Sequence, residues 1–255
     1  MASAPGVKRR SAGPPQARHG PLGGQRSTRS DQRGGLRLAL FDLDHTLLDG
    51  DSDVLWCDFL IQSGILDREF FLARNQDMDR RYRAGTVGLE EFANFYVGTL
   101  AGRTRQQWEP LRQKFLTEVI VPRIGSSARK LVREHQHSDN TVIMTTATNR
   151  FITELTAAHF GIEHLIATEP ELQGGTFTGR TEGVLNMREG KVARLHEWLG
   201  AREQRLADLD STAYSDSIND LPLLQAVNHA VAVNPDARLR EQAQARGWRV
   251  LSLAH

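Results

Sequence analysis

Two textures of apolar and polar positions follow one another along the chain, and the switch between them marks its organisation. Residues 36–41, Leu36-Arg37-Leu38-Ala39-Leu40-Phe41, make a short apolar run suited to a buried strand, closed by the acidic Asp42-Leu43-Asp44. From about 51 to 121, apolar and aromatic side chains recur every three or four positions, through 55–65, 70–82 and 89–100, with Gly64, Gly85 and Gly102 between the periods. That spacing predicts helices and no strand. Beyond it the texture alternates. Helices are predicted over 126–135, 150–159, 191–199, 221–227 and 237–245, and strands over 141–145, 164–168, 213–215, 229–233 and 248–251. A hairpin is predicted over 177–185, with Gly174, Gly175, Gly179 and Gly183 as its glycines. Strands alternating with helices predict a parallel sheet covered on both faces, so the class is α/β with a helical insertion after the first strand.

Composition adds limits. The 255 residues, 39% hydrophobic and 25% charged, suffice for one substantial core and a smaller appended domain. The net charge of +1 hides a segregation: residues 1–36 hold seven Lys/Arg against Asp31 alone, so the remainder is mildly acidic and no nucleic-acid partner is expected. Residues 1–35 are rich in Gly, Pro, Ser and Arg and are expected to be a disordered basic tail, because they bury too little apolar surface to offset ordering entropy. Pro5, Pro14, Pro15 and Pro21 argue against an amphipathic transit helix; a solvated tail or an early start codon fits better. Cys57, the one cysteine, allows no intramolecular disulfide and no cysteine metal cluster, and its apolar neighbours point to a small buried hydrophobe. No run is long and apolar enough for a membrane span, and a cytoplasmic location is expected. Oligomeric state is not legible.

Chemistry concentrates after the strand-like runs. Asp42-Leu43-Asp44-His45-Thr46 follows the first, and Asp216-Ser217-Ile218-Asn219-Asp220 follows a later one. In open α/β sheets a ligand lies beyond the carboxyl ends of the strands, where both clusters can converge. Crowded carboxylates repel unless a cation joins them, and hard oxygen ligands suit Mg²⁺. Thr145-Thr146-Ala147-Thr148-Asn149 offers hydroxyls and helix N-terminal amides for an anion, and Gly190-Lys191 opens a helix with a cation. Singly, each is as readily a turn, a helix cap or a solvated lysine. In this order they point to a phosphate site. His135 and His137 resemble a zinc pair but lack a third ligand, and surface histidines are expected. Trp56, Trp108, Phe92 and Phe95 are expected first as packing within the insertion and second as a substrate wall.

From residue 36 onward the chain resembles phosphatases of the haloacid dehalogenase superfamily, in the phosphoserine-phosphatase-like group. The motif sets are Phe41-Asp42-Leu43-Asp44-His45-Thr46, then Thr146-Ala147, then Lys191, and finally Ser215-Asp216-Ser217 through Asp220. The resemblance implies a Rossmann-like parallel sheet core, 36–50 and 122–255, carrying a helical cap, 51–121. It implies Asp42 as the phosphorus nucleophile and Asp44 as the acid and then base. Mg²⁺ would be held by Asp42, the main chain of Asp44, and Asp216, with Asp220 in support. Thr146, Ala147 and Lys191 would hold the phosphoryl oxygens. The substrate would be a small phosphorylated metabolite.

Phosphoserine phosphatases carry an acid nine residues after the nucleophile for the substrate amine, here Asp51, and a cap Arg for its carboxylate, here aligned with Tyr96. Keeping the acid while losing the clamp favours an amino-alcohol phosphate. Residues 41–53 and 146–151 are similar to bacterial histidinol-phosphate phosphatases. L-histidinol phosphate is therefore the expected substrate, and phosphoserine the alternative, anchored by Arg80, Arg81 or Arg83. A non-catalytic binding protein on the same fold stays open, although the retained motif residues speak against it.

Overall fold

β1 (Arg37–Phe41) lies at the centre of a seven-stranded sheet. Ala39 and Phe41 pack into one core and Leu38 and Leu40 into the other, so the run reads as continuously apolar because both faces are covered. β2 (Thr141–Asn149) and β5 (Asp210–Ser215) flank it in parallel. Outward from β2 come β3 (His164–Gln173), parallel, and β4 (Thr176–Glu182), antiparallel. Outward from β5 come β6 (His229–Val233) and β7 (Arg249–Leu251), both parallel. The chain leaves β1 for one side and later returns to the other, so the carboxyl end of β1 is the topological switch point where such sheets bind ligands. The computed structural model describes residues 37–83 and 86–253, without the side chains of Asp79, Tyr82 and Arg83. The expected tail, Gly85 and the Arg83 side chain lie outside the described residues.

Between β1 and β2 run α1 (Ser52–Gln62), α2 (Arg68–Arg83), α3 (Leu89–Val97) and α4 (Arg105–Phe115), the helical insertion expected after the first strand. The starts are written locally. Asp51 caps α1 by accepting from Val54 N, and Thr104 with Gln107 closes a reciprocal capping box on α4. The insertion is rooted in the sheet's own core. Trp56 meets Trp108 edge-on at 5.6 Å and Phe115 at 5.1 Å, in the cluster that holds Phe41 and Met144. A smaller cluster of Cys57, Ile61, Phe71 and Tyr96 packs α1, α2 and α3 together, with Phe92 and Phe95 against it. Burial pushes the Cys57 thiol far up, so it is inert packing as expected.

α5 (Ser126–His137) leads into β2; α6 (Arg150–His159), α7 (Glu189–Gly200), α8 (Leu221–Ala226) and α9 (Ala237–Arg246) complete the layers. Three expectations shift. The hairpin predicted over 177–185 is formed by β3 and β4 around Gly174-Gly175, because β3 runs five residues beyond the predicted 168 as one strand of the pair. The hydroxyl-rich segment 145–149, beyond the predicted strand end at 145, is the end of β2, with its register broken between Thr146 and Asn149. His135, expected on the surface, is half-buried, with Nε2 2.7 Å from Tyr214 Oη and Nδ1 2.6 Å from Asn140 Nδ2.

Candidate active site

Phe41 is in register with Met144 on one side and Tyr214 on the other, which sets Asp42 beside the ends of both neighbouring strands. His45 then takes a left-handed conformation, φ 56°, and the turn it makes aims the N–H groups of Thr46, Leu47 and Leu48 at the Leu43 carbonyl. The turn carries Thr46 Oγ1 to 3.0 Å from Asp42 Oδ2 and 3.1 Å from Asp216 Oδ1, while Asp216 N donates to the same oxygen at 3.0 Å. One hydroxyl proton thus serves two carboxylates in turn.

Lys191 enters from the first turn of α7, 3% exposed, with Nζ 2.7 Å from Asp42 Oδ1 and 2.6 Å from Asp220 Oδ2. Asp220 Oδ2 also accepts from Ser215 Oγ at 2.7 Å. Gly190 is what lets this turn seat: a Cβ there would lie 2.0 Å from the Leu185 carbonyl oxygen. Asp44 is held as firmly. Its Oδ1 accepts from Ser52 N at 2.8 Å and Ser52 Oγ at 2.5 Å, and its Oδ2 from Thr146 Oγ1 at 3.2 Å and Thr148 Oγ1 at 3.0 Å.

Burial dominates the electrostatics. It pushes the Asp42 carboxyl up to about 7, against the pull of Lys191 and with help from Asp220 and Asp44. It pushes Asp216 to about 8, with Asp42 adding to the rise, and Asp44 to about 6, with Asp51 adding and the Ser52 bonds opposing. Asp53 is raised well above the usual carboxylate range by burial, then by Asp51 and Asp44. Burial also works against the Lys191 charge, but Asp220 and Asp42 together outweigh it and lift its pKa above the lysine norm.

One buried ammonium cannot neutralise this many carboxylates, and a hard divalent cation between Asp42 and Asp216 would relieve the rest. These two carboxylates touch the same Thr46 hydroxyl, so they are spaced to share an ion. No group of three or more His, Cys, Asp or Glu side chains poised for a metal occurs among the described residues. The Asp42 and Asp216 carboxylates, with main-chain oxygen and water to complete the shell, would make a donor set that fits a cation which retains its waters. Asp220, expected in support of the metal, lines the same cavity and has Oδ2 engaged by Lys191 and Ser215.

Above these groups lies a cavity of about 220 Å³. It is lined by Asp42, Asp44, Lys191, Asp216 and Asp220, by Ala147 and Thr148 at the end of β2, and by Phe92 and Tyr96 of α3. Thr146 is fully buried with its hydroxyl on Asp44, so the partner expected for phosphoryl oxygen is engaged with a carboxylate, and Ala147 and Thr148 line the cavity. Asp51 and Tyr96 both reach the cavity; Asp51 Oδ1 caps α1, and Tyr96 Oη donates to Asn75 Oδ1 at 3.2 Å. Arg80 and Arg81 pair with Asp77 and Glu91 and do not line the cavity.

Sequence reasoning missed Ser52, Asp53 and Asn186. Buried Asn186 shares the two Nδ2 hydrogens among Thr145 Oγ1, the Thr146 carbonyl and the Ile166 carbonyl, all 2.9–3.0 Å away, tying the segment before Lys191 to β2 and β3. Nothing in the periodicity marks it. Ser52 and Asp53 flank the start of α1, and their clue was the unusual density of acids and hydroxyls between 42 and 53.

A model of haloacid dehalogenase-like hydrolases matches residues 39–225. The chain is 38% identical to a histidinol-phosphatase of Neisseria meningitidis serogroup C (strain 8013), over 84% of this chain and 98% of that protein. It is 32% identical to the phosphoserine phosphatase SerB1 of Mycobacterium tuberculosis (strain ATCC 25618 / H37Rv), over 83% and 69%. Among solved structures, a protein with unknown function from Bordetella pertussis Tohama I superposes with a TM-score of 0.82 at 45% identity, covering 85% of this chain and 98% of that one. With four motif segments gathered at the switch point of its sheet, the chain belongs to the haloacid dehalogenase-like hydrolase family and is a phosphatase.

Proposed function

We propose that this phosphatase is a Mg²⁺-dependent phosphomonoesterase that works through an aspartyl phosphate on Asp42, and that its substrate is L-histidinol phosphate. The observation that carries the chemistry is the pairing of Asp42, against Lys191 and Thr46, with Asp44, whose four donors fix it beside the same cavity. The Asp42 carboxylate forms a bond to phosphorus as the ester oxygen departs, and Asp44 gives that oxygen its proton. Water then attacks the aspartyl phosphate, Asp44 takes its proton, and inorganic phosphate leaves with Asp42 restored. Lys191 neutralises charge on the transferred group. Asp44, pushed to about 6, holds enough of the protonated form near neutrality to act as the acid. Mg²⁺, held by Asp42, Asp216 and the Asp44 main chain, would offset negative charge between nucleophile and phosphate.

Residues 51–121 act in this reading as the cap, which closes the cavity and excludes water. Three features support the substrate: Asp51 in the cavity to meet an amine, Phe92 and Tyr96 to face an imidazole, and the likeness to the Neisseria histidinol-phosphatase over nearly all of its length. Phosphoserine is the second reading, favoured by the likeness to the M. tuberculosis phosphatase; among the described residues no arginine lines the cavity to meet its carboxylate. Phosphate release from both esters with Mg²⁺ and with EDTA tests the proposal. Histidinol phosphate should lead in kcat/KM by at least about tenfold, the worth of one charge-assisted pair. A lead for phosphoserine, or full turnover in EDTA, would refute it.

A further inference from the structure

The helical insertion is fastened to the sheet at a second place, away from the reacting carboxylates. β4 is an edge strand, and along that edge it meets the insertion. Gly102 N donates to the Phe177 carbonyl at 2.9 Å, and Phe177 N to the Arg103 carbonyl at 3.0 Å. Farther along β4, Asn94 Oδ1 accepts from Thr181 N at 2.8 Å and from Thr181 Oγ1 at 3.0 Å. Between these bonds Gly179, at φ 86°, approaches the segment after α3 so closely that a Cβ on it would lie 2.9 Å from Ala101 Cβ. The strand is itself anchored. Phe177 is buried in the sheet's core, its ring centroid 4.9 Å from that of Phe151.

Asn94 belongs to α3, which also brings Phe92, Ala93 and Tyr96 to the cavity. Phe92 and Tyr96 are four positions apart and share a helix face, whereas Asn94, midway between them, lies about 200° round the helix. One side of α3 therefore lines the cavity while the other grips β4. Towards α1 and α2 the helix is held by the apolar packing of Phe71, Phe95 and Tyr96, and by Tyr96 Oη on Asn75. Apolar contact is non-directional, but two hydrogen bonds converging on one oxygen fix both distance and direction. We propose that Asn94 is a positioning residue for substrate selectivity: its bonds to Thr181 set where Phe92 and Tyr96 stand in the cavity, and so favour an ester whose alcohol carries a ring. The inference rests on the reading of this cavity as the substrate site. Asn94 does not line the cavity and acts through α3 alone.

The test uses a matched pair, 2-phenylethyl phosphate and ethyl phosphate, which differ in the ring alone. Wild-type kcat/KM should favour the ring-bearing ester by at least about tenfold, and Asn94→Ala should lower that ratio at least about fivefold. Asn94→Asp keeps an oxygen for both Thr181 donors and should retain most of the ratio, and Thr181→Val, which removes one donor, should fall between. Thermal melts of the same variants report the structural cost separately. A wild-type enzyme without the ring preference would overturn the inference. So would an Asn94→Ala enzyme that melts lower but slows both esters alike, or an Asn94→Asp enzyme as unselective as Asn94→Ala. Histidinol phosphate and phosphoserine run alongside separate the two ideas. If phosphoserine leads in wild type while Asn94→Ala still erodes the ring preference, the substrate assignment fails and the role of Asn94 stands. If histidinol phosphate leads and Asn94→Ala keeps the ring preference, the reverse holds.

Discussion

Replacing Lys191 by Met removes an ammonium that is 3% exposed and touches two carboxylates, leaving a side chain of similar length. Removing one partner of a buried ion pair costs about 3–5 kcal/mol, because the remaining charge is stranded. For a folded unit of this size 1 kcal/mol moves Tm by about 2–4 °C, so at pH 8 and without metal the variant should melt about 6–20 °C below wild type. The stranded acids have an exit, which is protonation. Asp42 is already lifted to about 7 from 3.8, and losing Lys191 lifts it further. A carboxyl whose folded pKa exceeds its unfolded value stabilises the native state at low pH and loses that contribution as pH rises through the folded value. The deficit should therefore shrink at pH 5. Adding Asp220→Asn to Lys191→Met removes one of the stranded charges and should restore part of the loss at pH 8. Thermal melts followed by circular dichroism at the two pH values make the comparison. A variant within a degree or two of wild type at pH 8, or a deficit larger at pH 5, would refute the reasoning.

Asp42→Asn should lower kcat at least about 10³-fold, read from phosphate release; near-wild-type turnover would exclude Asp42 as the nucleophile. Mg²⁺ should raise Tm more at pH 8 than at pH 5, because protons held by Asp42 and Asp216, lifted to about 7 and about 8, compete with it, and a pH-independent gain would argue against this pair as ligands. Gly190→Ala places a Cβ 2.0 Å from the Leu185 carbonyl oxygen, so it should cost about 1–3 kcal/mol and, by displacing Lys191, about 100-fold in kcat/KM. A neutral Gly190→Ala, by melt and by kinetics, would mean that the turn adjusts without moving Lys191.

The sequence by itself determined the fold class and most of the polar end of the site. The run before Asp42 is apolar at four successive positions because β1 is covered on both faces, and that is visible in a string of letters. The motif residues stand at strand ends and at a helix start, where local chemistry and chain order carry the signal, so Asp42, Lys191 and Asp216 were legible. Only the tertiary structure decided what each oxygen touches. Thr146 turned to Asp44 rather than into the cavity, and Asp220 to Lys191, because partners 29 to 102 residues away compete for the same atoms. Periodicity reports which face of an element is buried, and it carries no information about that competition. Asn186 was illegible for the same reason. A single polar residue is ordinary in sequence, and its role comes from elements that meet it only when the sheet closes, here Thr145 of β2 and Ile166 of β3.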